Sequence, residues 1–313
     1  MRIGQVPFEL PVVDPATLVA WCELHLGAPP ERELFRTGHL TSVIGTRLAD
    51  GREVVVRVRR PAPRIGACTE VQRRLFDSGY PCPRPLAGPA PLDGYVATAE
   101  TCIPGGVPLP DSGRVPLPFA AALARLVQLA PGPAHVPSLA PAPGWAAWNH
   151  DEDGLWPPPD DLDVNLNEVG GPGWIDAAGQ AARHRLQESQ DSQERTVIGH
   201  CDWITDNLRW RGERLLVVYD WDSLIADSEA VIAGLAAAIY LYPERPTIAE
   251  SRDFLDAYAT ARGRPFSHDE LQRCWAAGVW TRAFDAKQAH AAGKPVTGLA
   301  GDIHERLRMA GLR

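Results

Sequence analysis

The sequence predicts an α+β chain of two lobes: a small N-terminal lobe with an antiparallel sheet and one helix, and a larger, mainly helical C-terminal lobe. Two strand-like runs, 42–48 and 53–59, flank Asp50-Gly51, a pair that favours a type I′ hairpin turn. After a Pro/Gly-rich connector from 104 to about 118, helical periods dominate. We therefore predict an N-terminal lobe over 1–103 and a C-terminal lobe over 104–313.

The N-terminal lobe should open with a helix. Asp14 suits the N-cap, Pro15 suits the first helical position, and Gly27 ends the helical apolar stripe. After the hairpin, the apolar pattern predicts one further helix and one further strand. These are a helix over 67–77 and a strand over 94–99.

The C-terminal lobe should hold five helices, at 119–129, 174–186, 228–242, 248–261 and 268–292. Thr247 with Glu250, and Ser267 with Glu270, form capping boxes for the last two. Among the helices, a short apolar run predicts a strand and a Gly-containing turn predicts a hairpin. These lie at 197–199 and at 208–219.

Composition excludes several classes of protein. The 313 residues carry a net charge of −8, whereas a general nucleic-acid binder needs a basic face. The longest apolar run, 231–242, is shorter than the roughly 20 residues that span a bilayer, and no secretory signal is visible. The six cysteines form no Cys-x-x-Cys pair, which favours reduced, buried thiols. We expect a cytoplasmic protein, monomeric or dimeric, with no nucleic-acid or membrane partner.

Lysine is almost absent. Of the 31 cationic residues only Lys287 and Lys294 are lysines, and both lie near the C-terminus. Any site that needs a cation before residue 287 must therefore use arginine.

The residues with the clearest chemistry lie between 200 and 222. A short strand delivers Asp202 into a loop, Asn207 follows five residues later, and Asp220 stands at the end of an apolar strand. Carboxylate and amide oxygens are ligands that suit Mg²⁺, which also takes substrate phosphates. One carboxylate can remain free of metal and accept a proton from a hydroxyl group. No G-x-x-x-x-G-K-[ST] motif occurs, so a P-loop nucleotide site is excluded.

This pattern, His-x-Asp-x-x-x-x-Asn followed by an apolar strand that ends in Asp, resembles the aminoglycoside phosphotransferase family. His200, Asp202, Asn207 and Asp220 match it, and the stretch from 199 to 224 resembles actinobacterial members of undefined substrate. The resemblance implies a two-lobed, protein-kinase-like fold. It also implies Mg²⁺-dependent transfer of the γ-phosphate of ATP or GTP to a hydroxyl of a small molecule, such as an aminoglycoside-like antibiotic.

The resemblance extends into the N-terminal lobe. The segment 37–42, which includes Ser42, corresponds to the nucleotide-covering loop, and the return strand should supply the cation for the α/β-phosphates. Arg57 is the first choice, and Arg59 stays open because it lies on the same strand face. Glu70 corresponds to the acidic residue that pairs with this cation. Segment 100–103, with Glu100 and Cys102, corresponds to the hinge that meets the adenine.

The resemblance also assigns roles in the C-terminal lobe. Asp202 would act as the base, His200 would brace its loop, and Asn207 and Asp220 would hold Mg²⁺. Asp222 is left as either a second metal ligand or a helix cap.

The acceptor is less defined. The acidic stretch 151–163 could attract a cationic acceptor or be a solvated loop. Trp203, beside the proposed base, could wall the substrate or fill the core. Two alternative functions remain: a nucleotide-binding pseudokinase with a regulatory or scaffolding role, and a Mg²⁺-dependent phosphohydrolase.

Overall fold

The structure, a computed structural model, describes residues 10–109, 116–188 and 195–312. Residues 1–9, where no secretory signal was predicted, lie outside it, as do 110–115 of the predicted connector and 189–194. The helices are α1 (Pro15–Leu26), α2 (Ile65–Asp77), α3 (Pro116–Leu129), α4 (Gly173–Gln187), α5 (Glu229–Ile239), α6 (Ile248–Ala261), α7 (His268–Ala291) and α8 (Ala300–Met309). The strands are β1 (Pro30–Thr37), β2 (Ser42–Leu48), β3 (Glu53–Arg59), β4 (Pro85–Leu92), β5 (Tyr95–Thr101), β6 (Thr196–His200), β7 (Leu208–Arg211), β8 (Arg214–Val218) and β9 (Leu224–Ser228).

The N-terminal sheet has five antiparallel strands in the order β1-β2-β3-β5-β4. Alternation along β3 divides its two faces. Val54, Val56 and Val58 are fully buried in a core shared with α1. Arg57 and Arg59 therefore lie on the opposite face, where α2 packs and where the C-terminal lobe approaches.

Helix α2 joins the two lobes. Its buried residues Val71 and Leu75 belong to the large core of the C-terminal lobe rather than to the core under α1. Tyr80, just after α2, donates a hydrogen bond to the carbonyl of Ala122 on α3 at 3.0 Å. The packing of α2 thus holds one face of the sheet against the larger lobe. The division of the chain into lobes at 103/104 stays a prediction.

The C-terminal lobe is built around closely packed helices. α5 lies against α7 so tightly that a Cβ on Gly234 would stand 2.1 Å from the carbonyl oxygen of Cys274. Two small antiparallel ladders, β6–β9 and β7–β8, pack on these helices and carry two loops, 201–207 and 219–223. The second loop faces β3 of the N-terminal lobe, and we call the space between the lobes here the cleft. None of the described helices combines the length and apolar character needed to cross a membrane.

Several elements differ from the sequence-based expectation. β1 and β4 were not predicted, because β1 is an edge strand with mostly exposed, charged residues and β4 carries three prolines, which edge positions tolerate. β9 and α8 were also missed, and the helix predicted to reach 242 ends at Ile239. The type I′ turn was wrong, since Gly51 adopts a positive φ of 87° but Asp50 does not. Both capping boxes are confirmed.

The two lysines offer a test of the packing between α4 and α7. Lys287 is buried, and its Nζ bonds both carboxylate oxygens of Asp176 (2.8 and 3.0 Å) and the carbonyl of Val169 (2.8 Å). We expect Lys287→Met to lower the free energy of unfolding by about 1–3 kcal/mol, because the half-exposed carboxylate loses its buried partner. Urea unfolding measures this. The matched control Lys294→Met changes an exposed lysine and should stay within about 0.5 kcal/mol; equal effects of both substitutions would contradict the assignment.

Candidate active site

His200 holds together the two loops that carry the site. It ends β6, is fully buried, and its Nε2 lies 3.1 Å from the carbonyl oxygen of Tyr219. Edge-on contacts with Trp203 and Trp221 fix the ring. Burial lowers the pKa of His200 below its ordinary value, so the imidazole is neutral at pH 7. The structure thus places His200 where it can brace the loops.

Asp202 and Asn207 are joined directly. The Asn207 amide nitrogen donates to the Asp202 carboxylate at 2.7 Å and to the Asp202 carbonyl at 2.9 Å. Since both N–H groups of the amide are used, its carbonyl oxygen Oδ1 remains as the atom that can meet a cation. One short loop therefore presents a carboxylate and an amide oxygen side by side.

The Asp202 carboxyl is tuned for proton transfer. Burial raises its pKa to about 7, and the nearby charge of Asp220 adds to the rise. The hydrogen bond from Asn207 opposes the shift. A carboxyl whose pKa lies near the working pH is well suited to act as a general base.

Asp220 adopts a strained backbone to reach the same place. Its φ of 61° and ψ of 51° are left-handed, a region that Asp tolerates better than most residues. Its carboxylate accepts from the Ser223 hydroxyl at 3.0 Å and from Arg57. Burial is the largest single influence and opposes ionisation, but the charge of Arg57, the neighbouring His200 and the hydrogen bonds from Ser223 and Arg57 together outweigh it, so the pKa of Asp220 lies below its ordinary value. Asp220 is therefore ionised at neutral pH.

Arg57 and Arg59 face this loop from β3. Arg57 forms an ion pair with Asp220 and lies 4.0 Å from Asp222. Arg59 pairs with Asp222 at 3.1 Å and donates to the Thr98 hydroxyl at 3.2 Å. Both guanidinium groups are largely buried, so each needs the carboxylate that faces it.

Glu70 does not pair with Arg57, and that expectation was wrong. Its carboxylate accepts from Arg73 at 2.6 Å and from Arg74 at 2.8 Å, both on its own helix. The inward face of α2 presents Gln72 instead, which donates to the buried carboxylate of Glu100 at 2.8 Å. Residues two positions apart on a helix point in opposite directions, which explains the difference.

Glu100, and not Glu70, is therefore the glutamate whose carboxyl group lies near Arg57 and Arg59. It is buried on β5 and shares a small cavity with Arg57 and Arg59. Burial raises its pKa above the ordinary value, and the charge of Arg57 opposes that shift. Its side chain thus faces the arginines, while the hinge assignment, which concerned backbone groups of 100–103, stays a prediction.

The Ser42 assignment needs correction, whereas the hinge assignment of Cys102 stays a prediction. The buried Ser42 hydroxyl donates to the carbonyl of Pro11, so it fastens the chain and does not face the cleft. In the hinge, the Cys102 N–H donates to Glu53 at 3.1 Å and the Ile103 carbonyl accepts from Tyr219 at 3.0 Å. Among the described residues, the Cys102 carbonyl and the Ile103 N–H are the hinge groups left without a bond.

Of the three predicted metal ligands, two keep support in the structure and one does not. Asn207 Oδ1 and the ionised Asp220 are hard oxygen donors on neighbouring segments, since the Tyr219 N–H donates to the main-chain carbonyl of Asn207 at 2.8 Å. These two residues fit Mg²⁺. Asp222 is turned toward Arg59, and it belongs to a short 3₁₀ turn rather than capping a helix. The metal and cap expectations for Asp222 therefore both lack support.

The acceptor side of Asp202 is acidic. Charges of Asp285 on α7 and of Asp206 raise the pKa of Asp202 after burial and Asp220. From the stretch 151–163, Asp161 accepts from Gln288 on α7 at 2.8 Å. Trp203, however, is fully buried and donates to the Phe119 carbonyl at 3.0 Å, so it is a core residue and the substrate-wall expectation was wrong.

Comparison with known proteins identifies a matching family. The profile of the phosphotransferase enzyme family, APH, matches residues 34–274. No curated protein matches the chain significantly.

Solved structures share the fold over almost the whole chain. Amicoumacin kinase hAmiN in complex with AMP-PNP, Ca²⁺ and Ami is 11 % identical, with a TM-score of 0.61 over 95 % of this chain and 93 % of that one. A variant of aminoglycoside phosphotransferase APH(4)-Ia with ADP and hygromycin B is 14 % identical, with a TM-score of 0.59 over 94 % and 98 %. Spectinomycin phosphotransferase APH(9)-Ia with ADP and spectinomycin is 12 % identical, with a TM-score of 0.57 over 96 % and 94 %.

The environment of Asp202 gives a pH-dependent stability. An unperturbed Asp ionises with a pKa near 3.8, whereas folded Asp202 holds its proton to about pH 7, so the folded state loses stability as pH rises through that interval. We expect Asp202→Asn to raise the free energy of unfolding by about 1–3 kcal/mol above pH 7 and to leave it unchanged below pH 4. Urea unfolding with a metal chelator measures both limits.

The control for this test is Asp253→Asn, at an exposed aspartate on α6, which should change the free energy of unfolding by less than about 0.5 kcal/mol at both pH limits. A gain for Asp202→Asn that is the same at both pH limits would show that burial of the charge is not its cause.

Proposed function

Because the chain belongs to the phosphotransferase enzyme family, we propose that it transfers the γ-phosphoryl group of ATP or GTP to a hydroxyl group of a small molecule. One observation carries the proposal: Asp202, Asn207 and Asp220 converge at one end of the cleft, and Arg57 reaches the same point from the N-terminal lobe. Structures of the same fold hold AMP-PNP or ADP beside an antibiotic, which supports nucleotide use.

The residues divide the work of phosphoryl transfer. Asn207 and Asp220 would hold Mg²⁺, which when bound neutralises charge on the nucleotide phosphates. Arg57 would turn to the phosphates and bind them bidentately. The Cys102 carbonyl and the Ile103 N–H would meet the base in the hinge.

Asp202 orients the attacking group. The acceptor hydroxyl oxygen forms a bond to the γ-phosphorus, the bond to the bridging oxygen breaks, and the nucleoside diphosphate leaves. The hydroxyl proton passes to the Asp202 carboxylate, whose pKa of about 7 leaves it a competent acceptor near neutral pH.

The acceptor we propose is a polar, cationic small molecule such as an aminoglycoside-like antibiotic. Asp206 and Asp285 place negative charge near Asp202, and Asp161 lies near Asp285, although Arg245 and Arg282 partly balance that charge. An acidic site concentrates cations and disfavours anionic substrates. A screen for ADP or GDP release with Mg²⁺, across aminoglycosides, other antibiotics, amino alcohols and sugars, identifies it. Release that needs no acceptor would instead favour a phosphohydrolase, and no release beside tight nucleotide binding would favour a pseudokinase.

Asp202→Asn should separate chemistry from binding. With the acceptor found in the screen, we expect kcat to fall by roughly 10²–10⁴, since the proton acceptor is lost. Nucleotide affinity, measured by isothermal titration calorimetry, should change by less than about threefold, because the phosphate contacts remain. Asp253→Asn, an exposed aspartate on α6, is the matched control. Undiminished turnover in Asp202→Asn would exclude it as the base.

Arg57 and Glu70 give opposite expectations for nucleotide affinity. We expect Arg57→Met to weaken binding of Mg²⁺-ATP by about tenfold or more, because a charged hydrogen bond to phosphate is lost. Glu70→Gln should change it by less than about twofold, since the partners of Glu70 among the described residues are Arg73 and Arg74 on its own helix. Equal losses in the two variants would restore the family-based pairing of Glu70 with Arg57.

A further inference from the structure

Two ion pairs join the lobes in parallel. Arg57 and Arg59 lie two residues apart on one face of β3, and their partners Asp220 and Asp222 lie two residues apart in the facing loop. The side chains of both arginines are at most 13 % exposed, against 30–32 % for the two carboxylates. The arginines are thus fixed in the sheet, and the carboxylates border the cleft.

The two carboxylates have different surroundings. Asp220 belongs to the catalytic side: its residue adjoins Tyr219, whose N–H bonds Asn207, and its carboxylate takes a further bond from Ser223. No such bond joins Asp222 to Asn207 or Asp202 among the described residues. Only Asp220 therefore stands where a cation held by Asn207 would need it.

Asp222 contacts the N-terminal lobe. Its partner Arg59 is anchored to Thr98 on β5 at 3.2 Å. The Asp222 carbonyl lies 3.9 Å from the Cys68 thiol of α2, and Arg64, at the start of α2, donates to the carbonyl of Leu224. Strand β3 and helix α2 thus contact the loop at Asp222 and just beyond it, and β5 is linked to the loop through Arg59.

The pairs also differ in what a nucleotide would require of them. The Asp220 carboxylate accepts from Arg57 through Oδ1 and from Ser223 through Oδ2. A metal ion bound to this carboxylate would lie close to the Arg57 guanidinium, and the two cations would repel each other. Arg57 must leave Asp220 at least in part if Asp220 is to hold Mg²⁺ and Arg57 is to hold phosphates. Arg59 faces no such demand, because its partner is not among the metal-binding residues.

We propose that Arg59 and Asp222 are positioning residues whose ion pair persists when nucleotide binds, while Arg57 exchanges Asp220 for the phosphates. The inference rests on the proposed function and extends it. Because Arg57 and Arg59 share β3, the lasting pair keeps the strand beside the 220–222 loop, and Arg57 changes partner by a side-chain movement alone. Asp222 then acts through Arg59 and not as a metal ligand.

Calorimetric binding of ATP, with Mg²⁺ and with chelator, tests this in the 313-residue protein. We expect Arg59→Met and Asp222→Asn each to weaken binding about tenfold in both conditions, so the enhancement by Mg²⁺ is kept. The double variant should bind no more weakly than either single one, because the two residues act as one unit. Asp220→Asn, the matched change two residues away, should lose the enhancement by Mg²⁺.

If Arg59 and Asp222 only stabilised the fold, their substitution would lower the melting temperature, but the double variant would not match the single variants in ATP affinity. Loss of the Mg²⁺ enhancement in Asp222→Asn, or additive losses for Arg59→Met and Asp222→Asn, would overturn the inference. Should either variant fail to fold, Arg59→Lys and Asp222→Glu keep the charges, and a changed Mg²⁺ enhancement in them would also overturn it. Failure of the unaltered protein to bind Mg²⁺-ATP or Mg²⁺-GTP would instead overturn the proposed function.

Discussion

The buried charges between β3 and the 220–222 loop are the constraint on which the site depends. A guanidinium removed from water needs a facing carboxylate, and the sheet supplies two guanidinium groups at one interface. The C-terminal lobe meets this need with Asp220 and Asp222, so the same ion pairs that hold the lobes together also fix the position of Asp220, the carboxylate we propose as a metal ligand. The contacts that pack the two lobes together are therefore the same contacts that hold Asp220 in the site.

The catalytic loop reflects a conflict between stability and chemistry. Burial and the neighbouring Asp220 raise the pKa of Asp202 to about 7, which costs folding free energy at neutral pH but keeps a proton acceptor near its working range. Asp220 adds a left-handed backbone that most residues avoid. Neutral, buried His200 ties these two unfavourable features together through the Tyr219 carbonyl. Local penalties of this kind are expected at a functional site and are offset by the packed helices beneath.

Strongly periodic elements were predictable, and weakly patterned ones were not. β2 and α6 were placed at their observed bounds, and both capping boxes were found, because apolar period and cap chemistry depend on residues only a few positions apart. β1 and β4 were missed since edge strands need no buried alternation. In the site, the loop 200–207 could be read directly, whereas the partner of Arg57 could not.

The sequence by itself determined which chemical groups are available. It supplied the spacing of Asp202 and Asn207 and the carboxylates of 220–222. It also left arginine rather than lysine for the phosphate contact that we propose, since the two lysines are Lys287 and Lys294. The tertiary structure alone decided which charges meet. The rotation of α2 turns Gln72 inward and Glu70 outward, and the approach of a loop some 160 residues away gives Arg57 to Asp220 and Arg59 to Asp222. Such choices are set by packing between distant segments, because several carboxylates of equal charge compete and only geometry separates them.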